Sequence, residues 1–343
     1  MFQPKFQITN QILNNIAKIE AAKEVIQNAP LVPAWEAKFR EEAIVRTIYH
    51  GTHIEGNELN FTEAKAVLEG RDVTAKARDV QEILNYRQVL KYIDSFMGKG
   101  KDITESVILK IHALTTDKIL PKDQSGQWRK VSVNVSKKSG EVVFRPPLPN
   151  LVPSQIDSFV TWINSPLGQD INPILRAGIT HYELVRIHPF VDGNGRTSRA
   201  VTTLILFTEG YDIKKFFSLE EYYDRNPQDY YNALKSAESG DLTQWLEYFT
   251  QGLAIELGRI KERVQKLSVD LKLKGKVGQI SLNERQLKLV EYMEDYGKVR
   301  NIDWRSLLPM VSDDTILRDL KDLMKKGLVK KSGTTKAAEY RLK

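Results

Sequence analysis

Apolar residues at spacings of three and four recur along most of this chain of 343 residues. That spacing places apolar side chains on one face of an α-helix, so it predicts a helix wherever it is sustained. The segments that show it are Trp35–Tyr49, Phe61–Leu68, Val80–Phe96, Thr104–Leu114, Gln155–Trp162, Ile174–Ile187 and Leu242–Val264. The sequence therefore predicts a mainly α-helical fold.

One segment, Arg129–Phe144, alternates instead of following the helical pattern. Valines stand two apart from Val131 to Val135, which is the spacing of one face of a β-strand. A Lys-Lys-Ser-Gly turn that ends at Gly140 follows, and a second apolar run then closes the segment. The pattern predicts a small β-hairpin in which Gly140 is available for a positive φ angle.

Residues 283–343 differ in pattern from the rest of the chain. They follow a stretch rich in lysine and containing glycines, 266–282, that indicates a linker. Three short helical patterns then precede two strand-like runs, around Val329 and Tyr340. Three helices followed by a two-stranded wing are typical of a winged helix-turn-helix domain.

The charge of this terminal segment leaves its partner open. Between Ser281 and Lys343 there are 14 lysines and arginines against 10 aspartates and glutamates, a net charge of +4. The helix expected to enter a DNA groove, Asp313–Lys326, begins with two aspartates, which oppose contact with phosphate. DNA binding and a protein–protein role are therefore equally compatible with this segment.

Composition limits the class of protein. No run approaches the ~18 apolar residues of a transmembrane helix, and the first residues lack the pattern of a signal peptide. The chain has no cysteine, which excludes disulfides, thiolate metal sites and cysteine nucleophiles, and we expect a cytoplasmic protein that does not enter a membrane. A net charge of +7 suits phosphate-bearing partners but does not by itself indicate nucleic-acid binding.

The stretch His188–Arg199, with the sequence HPFVDGNGRTSR, concentrates groups that bind phosphate. Gly193 and Gly195 allow the backbone to approach a ligand closely. A helical pattern begins at Arg196, so the preceding turn presents free N–H groups that attract anions. Arg196 and Arg199 lie three residues apart on that helix and share a face, which gives two guanidinium groups for phosphate oxygens.

The same stretch also carries acid–base and metal-binding chemistry. His188 titrates near neutrality and can act as a general base. Asp192 offers the hard oxygen ligands that suit the magnesium ion accompanying nucleotide phosphates. These residues together predict a site that holds a polyphosphate and moves a proton beside it.

The stretch resembles the signature of the Fic family, HPFx(D/E)GNGRxxR, at every specified position, and the likeness extends over about Leu31–Leu253. The resemblance implies an all-helical Fic core with a small β-hairpin flap. It also implies transfer of AMP from ATP, with Mg²⁺, to a Ser, Thr or Tyr hydroxyl of a target protein. By this resemblance His188 is the catalytic base and Asp192 holds the metal. The residues implied to contact ATP in this loop are Gly193, Asn194, Gly195, Arg196 and Arg199.

The segment Gly126–Arg129 and the hairpin after it are similar to the family's flap, which pins a segment of the target protein over the active site. Upstream, Gly51–Gly56 resembles the family's inhibitory motif, (S/T)xxxE(G/N). The resemblance implies that Glu55 pairs with Arg199 and keeps that arginine from the γ-phosphate of ATP. Gly51 replaces the usual hydroxyl residue, and a glycine inside a helix costs about 1 kcal/mol relative to alanine. We therefore expect a loosened inhibitory helix.

Tyrosines and histidines elsewhere carry weaker expectations. Tyr230 and Tyr231 fall where the family closes over the adenine base, and aromatic faces can stack a base. His50 and His53 stand one helical turn apart near Glu55, but no second cluster of ligands supports a metal site there. We expect these two to be solvated or packing histidines, and we expect His112 and His181 to be structural.

These expectations divide the chain into an N-terminal helical region with the inhibitory motif (1–100), a Fic core (101–265), a linker (266–282) and a winged-helix-like domain (283–343). Two alternatives to AMP transfer remain open. One is a DNA-binding transcriptional regulator whose core senses nucleotide. The other keeps the enzyme but transfers phosphate or phosphocholine. Self-modification and a homodimer are also expected, and the sequence does not identify the target protein.

Overall fold

The structure is a computed structural model that describes residues 2–29, 31, 33–96, 102–136, 141–273, 282–333 and 338–343. The fold is mainly α-helical with small antiparallel strand pairs, as predicted. Within the described ranges, none of the helices combines the length and apolar character needed to cross a membrane.

The helices are numbered in chain order. They are α1 (Asn10–Asn28), α2 (Pro33–His53), α3 (Phe61–Leu68), α4 (Ala77–Phe96), α5 (Glu105–Thr115), α6 (Val152–Asn164), α7 (Pro166–Gln169), α8 (Pro173–Ile187), α9 (Asn194–Thr208), α10 (Leu219–Arg225), α11 (Pro227–Ser236), α12 (Thr243–Leu273), α13 (Glu284–Tyr296), α14 (Asn301–Leu307) and α15 (Asp313–Lys325). Short 3₁₀ turns lie at Pro149–Leu151, Ile213–Lys215 and Ala237–Ser239.

The chain divides into two compact units, one of residues 1–23 and 42–259 and the other of residues 24–41 and 260–343. In the first unit, α8 is buried along almost its whole length. The indole N–H of Trp245 on α12 donates to the carbonyl of Gly178 on α8 at 2.8 Å. A Cβ at Gly178 would lie 2.9 Å from Leu246 and from Phe249, so glycine is needed for the two helices to approach this closely. Helix α8 thus forms a rigid support for the loop that follows it.

The predicted hairpin is present but short. Strands β1 (Val135–Ser136) and β2 (Val142–Phe144) are antiparallel, and Val135 pairs with Phe144. The predicted turn, which ends at Gly140, lies outside the described residues.

In the second unit, α13, α14 and α15 are followed by a hairpin, in the order that the sequence predicts. The hairpin strands are β4 (Val329–Ser332) and β5 (Glu339–Leu342), and a further strand, β3 (Val299–Arg300), pairs with β5 to give the order β3-β5-β4. Part of the predicted Ser-Gly-Thr-Thr turn lies outside the described residues. The winged-helix interpretation of this unit stays a prediction.

Helix α12 continues to Leu273, so the first part of the predicted linker is helical. Residues 274–281 of that linker lie outside the described part of the chain. The glycines that suggested a linker begin only at Gly275, and the lysines before it are compatible with helix.

Candidate active site

The loop between α8 and α9, residues 188–193, begins the signature stretch and is called the signature loop; its backbone is left-handed at both ends. His188 ends α8 with φ 50° and ψ 59°, and its N–H donates to the Leu184 carbonyl at 3.0 Å. Gly193 precedes α9 with φ 77°, where a side chain would also lie 3.0 Å from Thr116. Glycine is required at that end. The histidine, in contrast, holds a conformation that non-glycine residues adopt only when the surrounding structure fixes it.

Helix α9 begins at Asn194, two residues before the predicted start at Arg196. The Asn194 side chain accepts from the Phe190 N–H and donates to the Phe190 carbonyl, both at 2.9 Å. This buried amide fixes the shape of the loop, and the predicted contact of Asn194 with ATP stays a prediction. Because the helix starts here, the backbone N–H groups of Asn194, Gly195 and Arg196 belong to its first turn, which favours anions.

His188 carries the features of a general base. Its Nδ1 lies 3.3 Å from the Val185 carbonyl, which favours the tautomer with the proton on Nδ1 and a free lone pair on Nε2. Burial lowers the pKa of His188 from its ordinary value, although Val185, Glu55 and Asp192 act in the opposite direction. The imidazole is therefore neutral at neutral pH.

Glu55 and Arg199 form the ion pair that the resemblance implies. The Arg199 guanidinium donates to Glu55 Oε1 at 2.7 Å and to the Gly51 carbonyl at 2.9 Å. The Arg199 side chain is only 2% exposed and that of Glu55 is 29% exposed. A Cβ placed on Gly195 would lie 2.2 Å from Glu55 Oε1. The carboxylate thus lies directly on the first turn of α9, in the anion site of the signature loop.

Gly51 is a site of close packing in α2, which runs without interruption to His53. A Cβ at Gly51 would lie 2.8 Å from the ring of Tyr86 and 3.3 Å from the side chain of Glu220. The Tyr86 hydroxyl donates to Glu220 at 3.2 Å, and burial raises the pKa of Glu220. The expectation that Gly51 loosens the helix considered only its intrinsic cost in a helix and missed this packing.

Asp192 is held by two arginines. Its carboxylate accepts from Arg78 at 2.7 Å, from the Gly193 N–H at 2.5 Å and from Arg196 at 3.3 Å. Burial acts to raise the pKa of Asp192, but Arg196, the Gly193 N–H and Arg78 outweigh it and hold this pKa below the usual range. The buried Arg196 also pairs with Glu82 at 2.9 Å, so two carboxylates share its charge in this structure, and its contact with ATP stays a prediction.

The donor set at Asp192 suits magnesium only together with a nucleotide. Among the described residues, no group of three or more histidine, aspartate or glutamate side chains is placed to hold a metal ion. Mg²⁺ commonly takes one or two carboxylates and completes its shell with substrate phosphates and water. Asp192 is partly exposed and fits that role once Arg78 has moved off its Oδ2 atom.

The two tyrosines proposed for adenine differ in position. Tyr230 is buried, and its hydroxyl lies 2.8 Å from Nε2 of His181. Its ring stacks on that of Tyr223 with 4.6 Å between the ring centroids, so Tyr230 belongs to the core in this structure, and its contact with the adenine base stays a prediction. Tyr231 is 46% exposed and its hydroxyl lies 3.5 Å from the Ile54 carbonyl beside Glu55, so it remains available to a ligand.

His50 and His53 do not form a metal site in the described part of the chain. Their Nδ1 atoms converge on Asp224 of α10, at 2.7 Å and 2.8 Å, and no sequence pattern indicates this shared carboxylate. His181 is buried and structural, as expected. His112 is also buried, and burial lowers its pKa to about 4.

A cleft of about 670 Å³ opens beside the flap. Its lining comes from β2 and the residues after it, from α8, and from one glutamate. The residues are Val142, Val143, Phe144, Arg145, Pro147, Tyr182, Arg186 and Glu238. The exposed valines, Val142 and Val143, give the flap an apolar surface that faces this cleft.

Several residues of the site were missed by sequence reasoning. They are Arg78, Glu82, Tyr86 and Glu220. Arg129 was predicted as part of the flap, but its contact with His188 was not. Arg78 and Glu82 form an ion pair with a spacing of four on α4, but surface helices carry many such pairs. Tyr86 and Glu220 belong to elements far apart in the chain, and no local pattern marks them.

Comparison with known proteins gives a consistent result. Residues 102–206 match the Fic/DOC family. Over 214 residues, 61% of this chain, the sequence is 33% identical to proteins named protein adenylyltransferase Fic from Drosophila grimshawi and Drosophila melanogaster. The chain spans about 40% of the length of these curated relatives.

Solved structures agree on the fold. A Fic family protein from Desulfovibrio desulfuricans G20 is similar over 100% of this chain and 98% of its own, with a TM-score of 0.69 and 23% identity. Fic-1 (residues 134–508) from C. elegans is similar over 74% of this chain and 71% of its own, with a TM-score of 0.61 and 27% identity. Residues 102–206 of this chain therefore form a Fic domain of the Fic/DOC family.

Proposed function

We propose that this chain is a protein adenylyltransferase that transfers AMP from ATP to a hydroxyl group of a target protein. One observation carries the proposal. A neutral histidine with a free Nε2 atom lies in the same loop as an anion site, and the Glu55 carboxylate stands in that site in place of a phosphate. The names of the curated relatives support the same activity.

In the proposed reaction, Nε2 of His188 accepts the proton of the target hydroxyl. The hydroxyl oxygen attacks the α-phosphorus in line, the bond between that phosphorus and the bridging oxygen breaks, and pyrophosphate leaves. A histidine that is neutral near pH 7 is suited to this role, because a base must be unprotonated when the substrate arrives. The pKa of His188 lies below its ordinary value, which keeps the ring unprotonated near pH 7.

The phosphates would bind at the first turn of α9, where backbone N–H groups and the helix dipole favour negative charge. Arg199 would contact a terminal phosphate with the guanidinium that now binds Glu55. Such preorganised donors stabilise the charge that develops on the phosphates in the transition state. Positioning and charge stabilisation would therefore supply most of the rate.

We further propose that Asp192 holds the Mg²⁺ that accompanies ATP. The bound ion would neutralise phosphate charge and fix the geometry of the α- and β-phosphates. Arg78 has to release Oδ2 of Asp192 for this, and it retains Glu82 as a partner on its own helix.

Autoinhibition by Glu55 is part of the proposal. One carboxylate and one phosphate compete for the same guanidinium and for the same helix terminus. While Glu55 pairs with Arg199, the terminal phosphate of ATP cannot reach that arginine, and the nucleotide is held in an unproductive position. Release of Glu55 would therefore activate the enzyme.

The target segment would bind along the flap as an added strand. A short hairpin with exposed apolar side chains, such as Val142 and Val143, can pair with an extended segment through backbone hydrogen bonds. The hydroxyl to be modified would then lie over His188. This arrangement places no demand on the identity of the target beyond an accessible extended segment, so the chain itself is a candidate substrate.

The function is tested by replacing His188 with alanine. Transfer from α-labelled ATP to protein should fall by about a hundredfold to ten-thousandfold, the usual range for loss of a general base. ATP binding, measured by calorimetric titration of the same preparation, should change little because the phosphate contacts lie on other residues. Transfer by the alanine variant at the wild-type rate would exclude this mechanism.

A second candidate function is DNA binding by the C-terminal unit. The aspartates of this unit pair mostly with neighbouring cations: Asp303 with Arg300, Asp313 with Arg305, Asp319 with Arg285 and Asp322 with Lys326. Exposed basic residues, Arg318, Lys321 and Lys325, stand three, four and seven apart and so share one face of α15. Asp313, one of the two aspartates that opposed DNA binding, is thus neutralised by Arg305.

A salt series with a duplex DNA probe tests this candidate. Affinity should fall as salt rises. Lys321→Ala should reduce the slope of log affinity against log salt concentration by about one, whereas replacement of the exposed Lys288 on α13 by alanine should not. Binding that is absent, or that both variants leave unchanged, would favour a protein partner. The division of the chain at 100, 265 and 282, a homodimer, self-modification and a cytoplasmic location stay predictions.

A further inference from the structure

The segment Gly126–Arg129, which begins the flap, is linked to the signature loop by hydrogen bonds at both of its ends. The Arg129 N–H donates to the Pro189 carbonyl at 2.8 Å. At the other end, His112 bridges the two segments, since Gly126 N–H donates to its Nδ1 at 2.9 Å and its Nε2 lies 3.0 Å from the Asp192 carbonyl. Because Nδ1 accepts, Nε2 carries the proton and donates to Asp192. The flap and the loop are therefore joined at both ends.

The Arg129 side chain makes the central link. It is 4% exposed, and it donates from Nε to the His188 carbonyl at 2.8 Å. Its terminal nitrogens donate to the carbonyls of Val131 at 3.1 Å and Pro147 at 2.5 Å. These hydrogen bonds join three segments: the end of α8, the residues before β1 and the residues after β2.

The partners of this guanidinium are unusual for a buried arginine. Every hydrogen bond that it makes within the described residues goes to a backbone carbonyl, and no carboxylate pairs with it there. A buried charge without a counter-charge is costly, and ordinary packing would not require one. A guanidinium is planar and has five N–H donors in a fixed arrangement, so carbonyls that bind it are held in fixed positions relative to one another. The ammonium group of a lysine does not provide this geometry.

His188 needs such support. Its left-handed backbone is strained for a residue with a side chain and persists only where contacts fix it from both sides. The N–H of His188 is held by Leu184 from α8, and its carbonyl is held by Arg129. If the carbonyl were released, the peptide could rotate and carry the imidazole away from its position.

We propose that Arg129 is a positioning residue that locks the catalytic histidine to the flap, so that occupancy of the flap and orientation of the base are coupled. The inference rests on the proposed function of His188. The Pro147 carbonyl accepts from Arg129, and Pro147 also lines the cleft beside the flap. A target segment in that cleft would contact Pro147, and Arg129 connects Pro147 to the His188 carbonyl. Arg129 itself touches neither ATP nor target in this arrangement.

The test compares the wild type with Arg129→Met, Arg129→Lys and the control Lys130→Met. Lys130 is the exposed neighbour and belongs to neither the site nor the flap contacts. The first readout is ¹⁵N imidazole NMR of His188, assigned by its loss in His188→Ala. In the wild type and in Lys130→Met, we expect one tautomer with the proton on Nδ1. In Arg129→Met, we expect the two tautomers in exchange.

The second readout is transfer from α-labelled ATP. Misplacement of a reacting group by about 1 Å can cost on the order of a hundredfold, so kcat of Arg129→Met should fall by about that factor. KM for ATP should change little, because the nucleotide contacts remain. Arg129→Lys keeps the charge but reaches fewer carbonyls, and we expect an intermediate fall in kcat. This variant also decides the outcome if Arg129→Met does not give a cooperative melting transition.

His188 resonances that are identical in the wild type and in the Arg129 variants would overturn the inference, even if kcat falls. A kcat that equals the wild-type value in both Arg129 variants would overturn it as well. The NMR readout does not depend on turnover. A wild-type protein without transferase activity would therefore refute the proposed function while the role of Arg129 is still tested.

Discussion

Replacement of Glu55 by glycine should activate transfer, because it frees both Arg199 and the first turn of α9. The magnitude follows from the geometry of the pair. A charge-assisted hydrogen bond such as the 2.7 Å contact between Arg199 and Glu55 contributes about 1.5–3 kcal/mol. Since 29% of the Glu55 side chain is exposed, solvent screening places the pair at the lower end of that range. At about 1.4 kcal/mol per factor of ten, we expect about tenfold more labelling.

The assay is the initial rate of labelling from α-labelled ATP at a fixed protein concentration. Glu58→Gly is the matched control. Glu58 lies three residues later, is exposed, and pairs with Lys76 at 2.6 Å rather than with Arg199. Arg199→Ala added to Glu55→Gly should remove the gain, since the freed guanidinium is the group that the phosphate needs. Equal labelling by the wild type and Glu55→Gly would refute the reasoning and would leave Glu55 as a structural cap at the end of α2.

Two further perturbations test other parts of the site. Burial lowers the pKa of His188, and only the neutral ring accepts a proton. The rate of transfer should therefore rise with pH through a midpoint below 6.5 and then level off. A pH–rate profile with its midpoint at or above 6.5 would contradict this. Gly51→Ser restores the hydroxyl residue of the family motif but brings a Cβ to 2.8 Å from Tyr86, so it should destabilise the protein by about 1–3 kcal/mol in thermal unfolding. An unchanged unfolding midpoint would show that Tyr86 can move to accommodate the added side chain without loss of stability.

The parts of the site that lie close together in the sequence could be predicted from it. The glycines of the signature loop fix a turn, the apolar spacing after it fixes a helix, and the combination places His188 and an anion site side by side. The pairing of Glu55 with Arg199 came only from the family resemblance, because 144 residues separate the two and no periodicity links them.

The parts that depend on tertiary packing could not be predicted. Tyr230 has the spacing of both a core residue and a ligand-binding residue, and only the contacts with Tyr223 and His181 decide for the core. Gly51 looked like a weak point because helix propensity is a local quantity, whereas its close neighbours, Tyr86 and Glu220, come from other helices. Asn194 looked like a phosphate ligand, and its use by the Phe190 backbone became visible only with the loop geometry.

The central claim is that AMP, rather than another group, is transferred. Parallel incubation of the Glu55→Gly protein with α-labelled and γ-labelled ATP tests it most directly, because the two labels follow different phosphorus atoms through the same preparation. We predict that the α-label appears on protein and that the γ-label leaves with pyrophosphate. Protein labelled from γ-labelled ATP, without label from α-labelled ATP, would place the attack at the γ-phosphorus and would contradict the account.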